Sequence, residues 1–177
     1  KDYSQTPPRK TMMEHIIEVG LPSVGIGKIW NIFNGRGVNE SLETEDNADG
    51  LRVLEKTLDS HDRGLLFVNL IDFDMLYGHR RDTEGYAKAL ERFDSRLPAI
   101  IDALRDDDLL IMTADHGNDP SMPGSDHTRE YVPLLVFGKN AKSGIDLGTR
   151  QSLSDIGGTI AENFELRLSD GVSFLSD

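Results

Sequence analysis

Gly64-Leu65-Leu66-Phe67-Val68-Asn69-Leu70-Ile71-Asp72-Phe73 is the stretch on which the fold turns. Its apolar residues do not alternate with polar ones. They run almost unbroken, as in a strand covered on both faces, and such strands belong to parallel sheets packed between helices. Two more runs of this kind lie downstream, Leu109-Leu110-Ile111-Met112-Thr113-Ala114 and Pro133-Leu134-Leu135-Val136-Phe137-Gly138. Upstream, Ser23 to Ile29 reads as another strand.

Helical spacing fills the intervals. From Asp82 to Arg105, the residues Tyr86, Leu90, Phe93, Leu97, Ile100 or Ile101, and Leu104 recur at steps of three and four, which sets them on one stripe. Asp82 is placed to cap this helix, and Pro98 is expected to kink or split it. Residues 10–19 form a short amphipathic helix ended by Gly20 and Pro22, Leu51 to Leu58 a second, and Leu153 to Phe164 a third that Ser152 or Ser154 can cap. Residues 34–50, rich in Gly, Asn and acid, read as a long exposed loop. This alternation predicts an α/β fold, a mainly parallel sheet with helices on both faces.

Composition narrows the function. The 177 residues carry 19 Lys and Arg against 31 Asp and Glu, a net charge of −12. Such a field repels nucleic-acid backbones and anionic membrane surfaces but attracts divalent cations. No apolar run approaches the roughly 18 residues of a membrane span. Cysteine is absent, which removes disulfides, thiolate nucleophiles and Cys-based zinc sites together, and makes a cytoplasmic protein the default expectation. The amino end lacks both a signal-peptide shape and an initiator Met, which leaves open a chain cut from something longer.

In open parallel sheets, sites form beyond the carboxyl ends of the strands. There the chain places Asp72-Phe73-Asp74-Met75-Leu76-Tyr77-Gly78-His79-Arg80-Arg81-Asp82 and Asp115-His116-Gly117-Asn118-Asp119-Pro120, followed by Gly124-Ser125-Asp126-His127-Thr128-Arg129-Glu130. A lone Asp-His pair in a loop is ordinarily solvated surface. Three such groups, two at the ends of core strands, point instead to a metal site built from Asp74, His79, Asp115, His116 and His127. Imidazole with carboxylate suits zinc, manganese or iron. Within a strand Asp115 and His116 would face opposite ways; at its end both can reach one cavity, with Gly117 supplying a turn of positive φ. Five ligands exceed one tetrahedral site and fall short of two full ones, so substrate, water or residues outside the chain must complete the shells.

The remaining candidates take plainer readings. His15 and His61 have no acidic constellation in the sequence around them. Asp106-Asp107-Asp108 is a solvated turn without the spaced ligands of a calcium loop. Gly25-Ile26-Gly27-Lys28 is too short for a phosphate-binding signature. Neither a basic stripe nor basic-aromatic interleaving suggests nucleic acid.

The segments at 72–82, 113–120 and 126–133 (Asp-His-Thr-Arg-Glu-Tyr-Val-Pro) resemble bacterial phosphopentomutases, members of the alkaline-phosphatase superfamily of metalloenzymes. Thr113-Ala114-Asp115-His116-Gly117-Asn118 alone is shared with cofactor-independent phosphoglycerate mutases, whereas the stretch after His127 is particular to phosphopentomutases. The resemblance runs the length of the chain but covers only the carboxyl-terminal part of that family. It implies an isomerase that interconverts ribose 1-phosphate and ribose 5-phosphate, and their deoxyribose counterparts, with two manganese ions. On matching positions, Asp115 and His116 would hold one ion and Asp74, His79 and His127 the other. Lys28 would contact the substrate phosphate; its plainer reading is a surface lysine after a strand.

The family's threonine nucleophile and a further metal-binding aspartate have no counterpart here, so no catalytic nucleophile is expected within these residues. Thr128 is not a substitute, because the family carries a threonine there in addition to its nucleophile. The expectation is thus one domain, residues 1–177 forming the carboxyl-terminal part of an alkaline-phosphatase-like metal-binding core, with the nucleophile segment and most of the cap domain lacking. Its partner would be a small pentose phosphate, and the isolated piece is expected to be inactive. Two alternatives share the ligand set: a related metallophosphatase or phosphoglycerate mutase, and a fragment that binds divalent ions without catalysis.

Overall fold

The computed structural model describes residues 4–168 and 170–176, and the chain folds as two compact units. The first draws on the residues up to Glu43, His61–Asn69 and the stretch from Lys142 onward; the second comprises Thr44–Ser60 and Leu70–Ala141.

In the first unit, β1 (Ser23–Ile26) is the middle of a three-stranded sheet, with β2 (Glu40–Leu42) and β3 (Leu65–Val68) parallel on either side. Val24 lies opposite Glu40 and Leu66. All four residues of β1 are buried, as the apolar reading of such strands requires. Gly25 is needed for close approach: a Cβ there would come within 3.0 Å of Val38 and 3.1 Å of Ile29. Helix α1 (Met12–Glu18) starts in a capping box, with the Thr11 hydroxyl accepting from the Glu14 N–H and the Glu14 carboxylate accepting from the Thr11 N–H. It buries Met13 and Ile16 and packs on β1 and on α5 (Ser154–Asn163). The strand expected over 23–29 stops at Ile26, and Ile29–Ile32 turns into the short helix α2.

The end of this unit is stitched to α5 by two side chains. Buried Asp155 accepts from the Val172 N–H at 2.9 Å, and Thr159, 0% exposed, accepts from the Phe174 N–H at 3.0 Å. The N–H of Val172 holds the Asp155 carboxyl below the usual carboxylate range; burial opposes that shift, and Arg150 reinforces it. Leu153 occupies the N-cap position of α5 and makes no side-chain cap, while the Ser152 hydroxyl accepts from the N–H of Ser154, the first helical residue, at 3.1 Å.

In the second unit, α3 (Asn47–Ser60) packs on α4 (Thr83–Ala103), and α4 packs on a π-helical turn at Phe73–Gly78. Strands β4 (Leu110–Thr113) and β5 (Leu134–Phe137) form an antiparallel pair, with Leu110 opposite Phe137 and Thr113 opposite Leu134. The parallel arrangement is therefore that of β2-β1-β3, and the last two strands depart from it. Asp82 caps α4 by accepting from the Gly85 N–H. Pro98 does not break α4. Pro98 and Asp94 are both exposed, so water can serve the carbonyl that the proline leaves without a donor. On the expected stripe Leu90 is 49% exposed, and Ala89, Ile100 and Leu104 are the buried positions.

The supposed loop 34–50 holds β2 and the start of α3. Asp46 begins that helix by accepting from the Asp49 N–H at 2.8 Å. No helix among the described residues is long and apolar enough to cross a membrane.

Candidate metal centre

The site lies in the second unit and starts from the turn after β3. Asp72 and Asn47 bond reciprocally, each backbone N–H to the other's side chain at 2.9–3.0 Å, so Asp72 is committed to holding α3. That leaves Asp74 as the acid of this segment. It rides on the π-helical turn, whose closing bond runs from the His79 N–H to the Asp74 carbonyl at 3.0 Å. Turns of this type widen a helix by one residue and recur at functional sites. Here the widening lets the Asp74 carboxylate and the His79 ring, five positions apart, meet at 3.2 Å.

His127 completes a triangle. Its Nε2 is 3.2 Å from Asp74 Oδ1 and 3.1 Å from His79 Nε2, while His79 Nε2 is 3.2 Å from Asp74 Oδ2. Ligands about 2.0–2.1 Å from one divalent ion stand about 3.0 to 3.4 Å apart in octahedral or tetrahedral arrangements. The triangle has that size. His79 Nδ1 lies 2.5 Å from the Ser125 carbonyl, which requires a donor, so Nδ1 carries a proton and Nε2 is the nitrogen that can offer a lone pair to a metal. The two carboxylate oxygens of Asp74 and the two Nε2 atoms, 3.1–3.2 Å from one another across the three pairs, fit a divalent cation.

His116 adds a second, overlapping group, since one ligand atom each from Asp74, His116 and His127 lies within 4.8 Å of the others. The His116 ring stacks on His127 with centroids 3.7 Å apart and 22° between planes. Its Nδ1 lies 3.2 Å from the Gly117 carbonyl, and its Nε2 3.6 Å from Asp115 Oδ2. Asp74, His79, His116 and His127 thus converge, with Asp115 at their edge beside His116.

Gly117 sits here for a reason other than the one expected. Its φ is not positive. Gly117 and Thr128 instead form an antiparallel bridge, and a Cβ on Gly117 would lie 2.9 Å from the Thr128 carbonyl oxygen and 2.5 Å from Glu130. That bridge brings the segment of His116 against that of His127. The Thr128 hydroxyl is occupied, accepting from the Asp119 N–H at 2.6 Å and donating to Glu130.

Asn118 is the neighbour that the sequence motifs contained without a stated role. Its Nδ2 donates to Asp74 Oδ1 at 2.5 Å, and Gly78 makes room for it, since a Cβ there would lie 2.3 Å from that nitrogen. Tyr86 packs on Phe73 at 5.4 Å, and burial, then the Asp74 charge, push its phenol pKa up, so it stays protonated. Lys28 belongs to the first unit, where it directly precedes α2. His61 has an acidic neighbour that its surrounding sequence did not reveal, Glu40 at 3.0 Å, and His15 lies 3.9 Å from Glu18.

A model of the Metalloenzyme superfamily matches residues 8–168. The chain is 54% identical over 177 residues to the phosphopentomutase of Anaeromyxobacter sp. (strain K), covering all of this chain and 45% of that protein. It is 50% identical over 175 residues to the phosphopentomutase of Clostridium kluyveri, covering 98% of this chain and 45% of the other. With that of Clostridioides difficile (strain 630) the identity is 47% over 178 residues, covering 100% and 46%. The chain spans less than half the length of these relatives.

Proposed function

The chain belongs to the Metalloenzyme superfamily, and from that premise we propose that it is the carboxyl-terminal part of a phosphopentomutase. The reaction is the interconversion of ribose 1-phosphate and ribose 5-phosphate, and of the deoxyribose pair, in the cytoplasm. The observation that carries this reading is the convergence of Asp74, His79, His116 and His127 in a chain about half identical to phosphopentomutases along its length.

In this reading Asp74, His79 and His127 hold one divalent ion and Asp115 and His116 help hold a second, manganese in both cases. Bound there, the ions would polarise phosphoryl oxygens and stabilise charge on the attacking and leaving oxygens. The protein's own part is positional. The Ser125 carbonyl fixes the His79 ring by its Nδ1 proton, and Asn118 holds one oxygen of Asp74. Lys28 supplies a cation for the phosphate of the sugar. The threonine that accepts the phosphoryl group, and a further ligand aspartate, come from outside these 177 residues, so the chain alone turns over negligibly.

A turnover assay on the full-length protein that carries this chain tests the reading. With manganese present, conversion of ribose 1-phosphate and no turnover of 3-phosphoglycerate is the expected result. Mutase activity on 3-phosphoglycerate instead would overturn it. Robust conversion by the 177 residues alone would overturn the division of labour.

A further inference from the structure

Arg81 has a backbone that arginine rarely adopts, with φ at +55°. Such a conformation is strained for any residue with a Cβ and persists where surrounding contacts outweigh it. The contacts of Arg81 reach every ligand-bearing segment of the second unit. Nη1 donates to the Gly78 carbonyl at 3.2 Å, to Asn118 Oδ1 at 2.9 Å and to the Asp119 carbonyl at 2.9 Å. Nη2 donates to the Asp126 carbonyl at 2.5 Å, and Nε to the Gly124 carbonyl. These acceptors lie beside His79, just after Asp115-His116, and just before His127.

The bond to Asn118 has a further effect. A guanidinium has only donors, so it takes the carbonyl end of the Asn118 amide. The amide's NH2 end must then face the other way, toward Asp74 Oδ1 at 2.5 Å. Arg81 thereby decides which way Asn118 points, and Asn118 decides where one carboxylate oxygen of Asp74 is held.

We infer that Arg81 is a positioning residue of the metal centre, acting through Asn118 on Asp74 and through the 124–126 carbonyls on the approach of His127. None of these bonds goes to one of the five ligand side chains themselves. The inference rests on the metal-centre reading above. Lysine cannot replace it, because one ammonium cannot span this set of acceptors.

The test is calorimetric titration of the full chain with Mn2+, using Arg81→Lys, Asn118→Ala and the double variant, with metal-free melting midpoints beside each. Loss of partners behind a metal ligand typically weakens binding about 10- to 100-fold. Each single variant is expected to lose affinity in that range, and the double less than the sum of the two, because they share the route through Asn118 to Asp74 while Arg81 alone also holds the 124–126 carbonyls. The visible absorption of bound Co2+ should shift in Asn118→Ala, which a general loss of stability would not produce. Wild-type affinity in both single variants overturns the inference, as do fully additive losses. If Arg81→Lys does not fold, Asn118→Ala with an unshifted Co2+ spectrum overturns it equally. A wild-type chain that takes up neither Mn2+ nor Co2+ removes the metal centre and this inference with it.

Discussion

The imidazole of His116 lies flat against that of His127, 3.7 Å between ring centres, while the edge of His127 faces His79 Nε2 at 3.1 Å. His127 is therefore common ground between the two overlapping donor groups. Two substitutions should separate its roles. His79→Ala removes a corner of the first triangle, and His127→Ala removes a corner and the surface that His116 rests on.

Calorimetry with Mn2+ should consequently show one binding event lost in His79→Ala. In His127→Ala that event is lost and the remaining one weakened as well. Identical isotherms for wild type and His127→Ala would strike that residue from the ligand set.

Metal should stabilise the fold. A ligand that binds only the folded state adds about 2.7 kcal/mol at a concentration one hundred times its dissociation constant. The melting midpoint should rise with Mn2+ and return to its starting value on adding a chelator. An Asp74→Asn chain should show little of this rise.

Gly78→Ala should be costly out of proportion to one methyl group. The new Cβ would stand 2.3 Å from Asn118 Nδ2, and Asn118 is tied on its other side to Arg81. Overpacking of this kind costs about 1–3 kcal/mol. Urea denaturation would measure it, and Mn2+ affinity should fall with it because Asn118 must leave Asp74.

Acid should loosen the first unit through Asp155. Hydrogen bonding to the Val172 N–H, opposed by burial and aided by Arg150, sets its folded pKa below the ordinary value. A depressed carboxyl contributes stability that is present above the unfolded pKa of about 4 and lost as pH falls through the folded value. Asp155→Asn should be less stable than wild type at neutral pH, and the gap between their urea midpoints should close as the medium is taken below about pH 4. A constant gap across that range would refute the assignment.

Much of this site is legible in the residues. Asp74, His79, Asp115, His116 and His127 stand out because imidazole and carboxylate occur together where apolar runs end, and the parallel strands β1 and β3 are visible because their apolar runs do not alternate, although only β1 is buried throughout and Phe67 of β3 is exposed. Other features leave no such mark. The runs at 109–114 and 133–138 are equally apolar whichever way they are paired, so the antiparallel register of β4 and β5 is not written in them. Strand β2 has three residues, two of them exposed, and carries no hydrophobic signal at all. Arg81 and Asn118 are ordinary polar residues in sequence, and their importance arises from side-chain directions that only the folded turn determines. Asp46, by contrast, offered a readable cap three positions before Asp49, inside a stretch whose composition suggested a loop.

The widened turn at 73–78 makes the centre depend on how this segment is wound more than on any one exposed side chain in it. Wound as an ordinary α-helix, the same five-position interval from Asp74 to His79 would turn through about 500° and leave the two side chains about 140° apart around the axis. Point substitutions at Met75 or Leu76, both substantially exposed, leave that winding untouched. Winding, more than identity, is what this segment must keep.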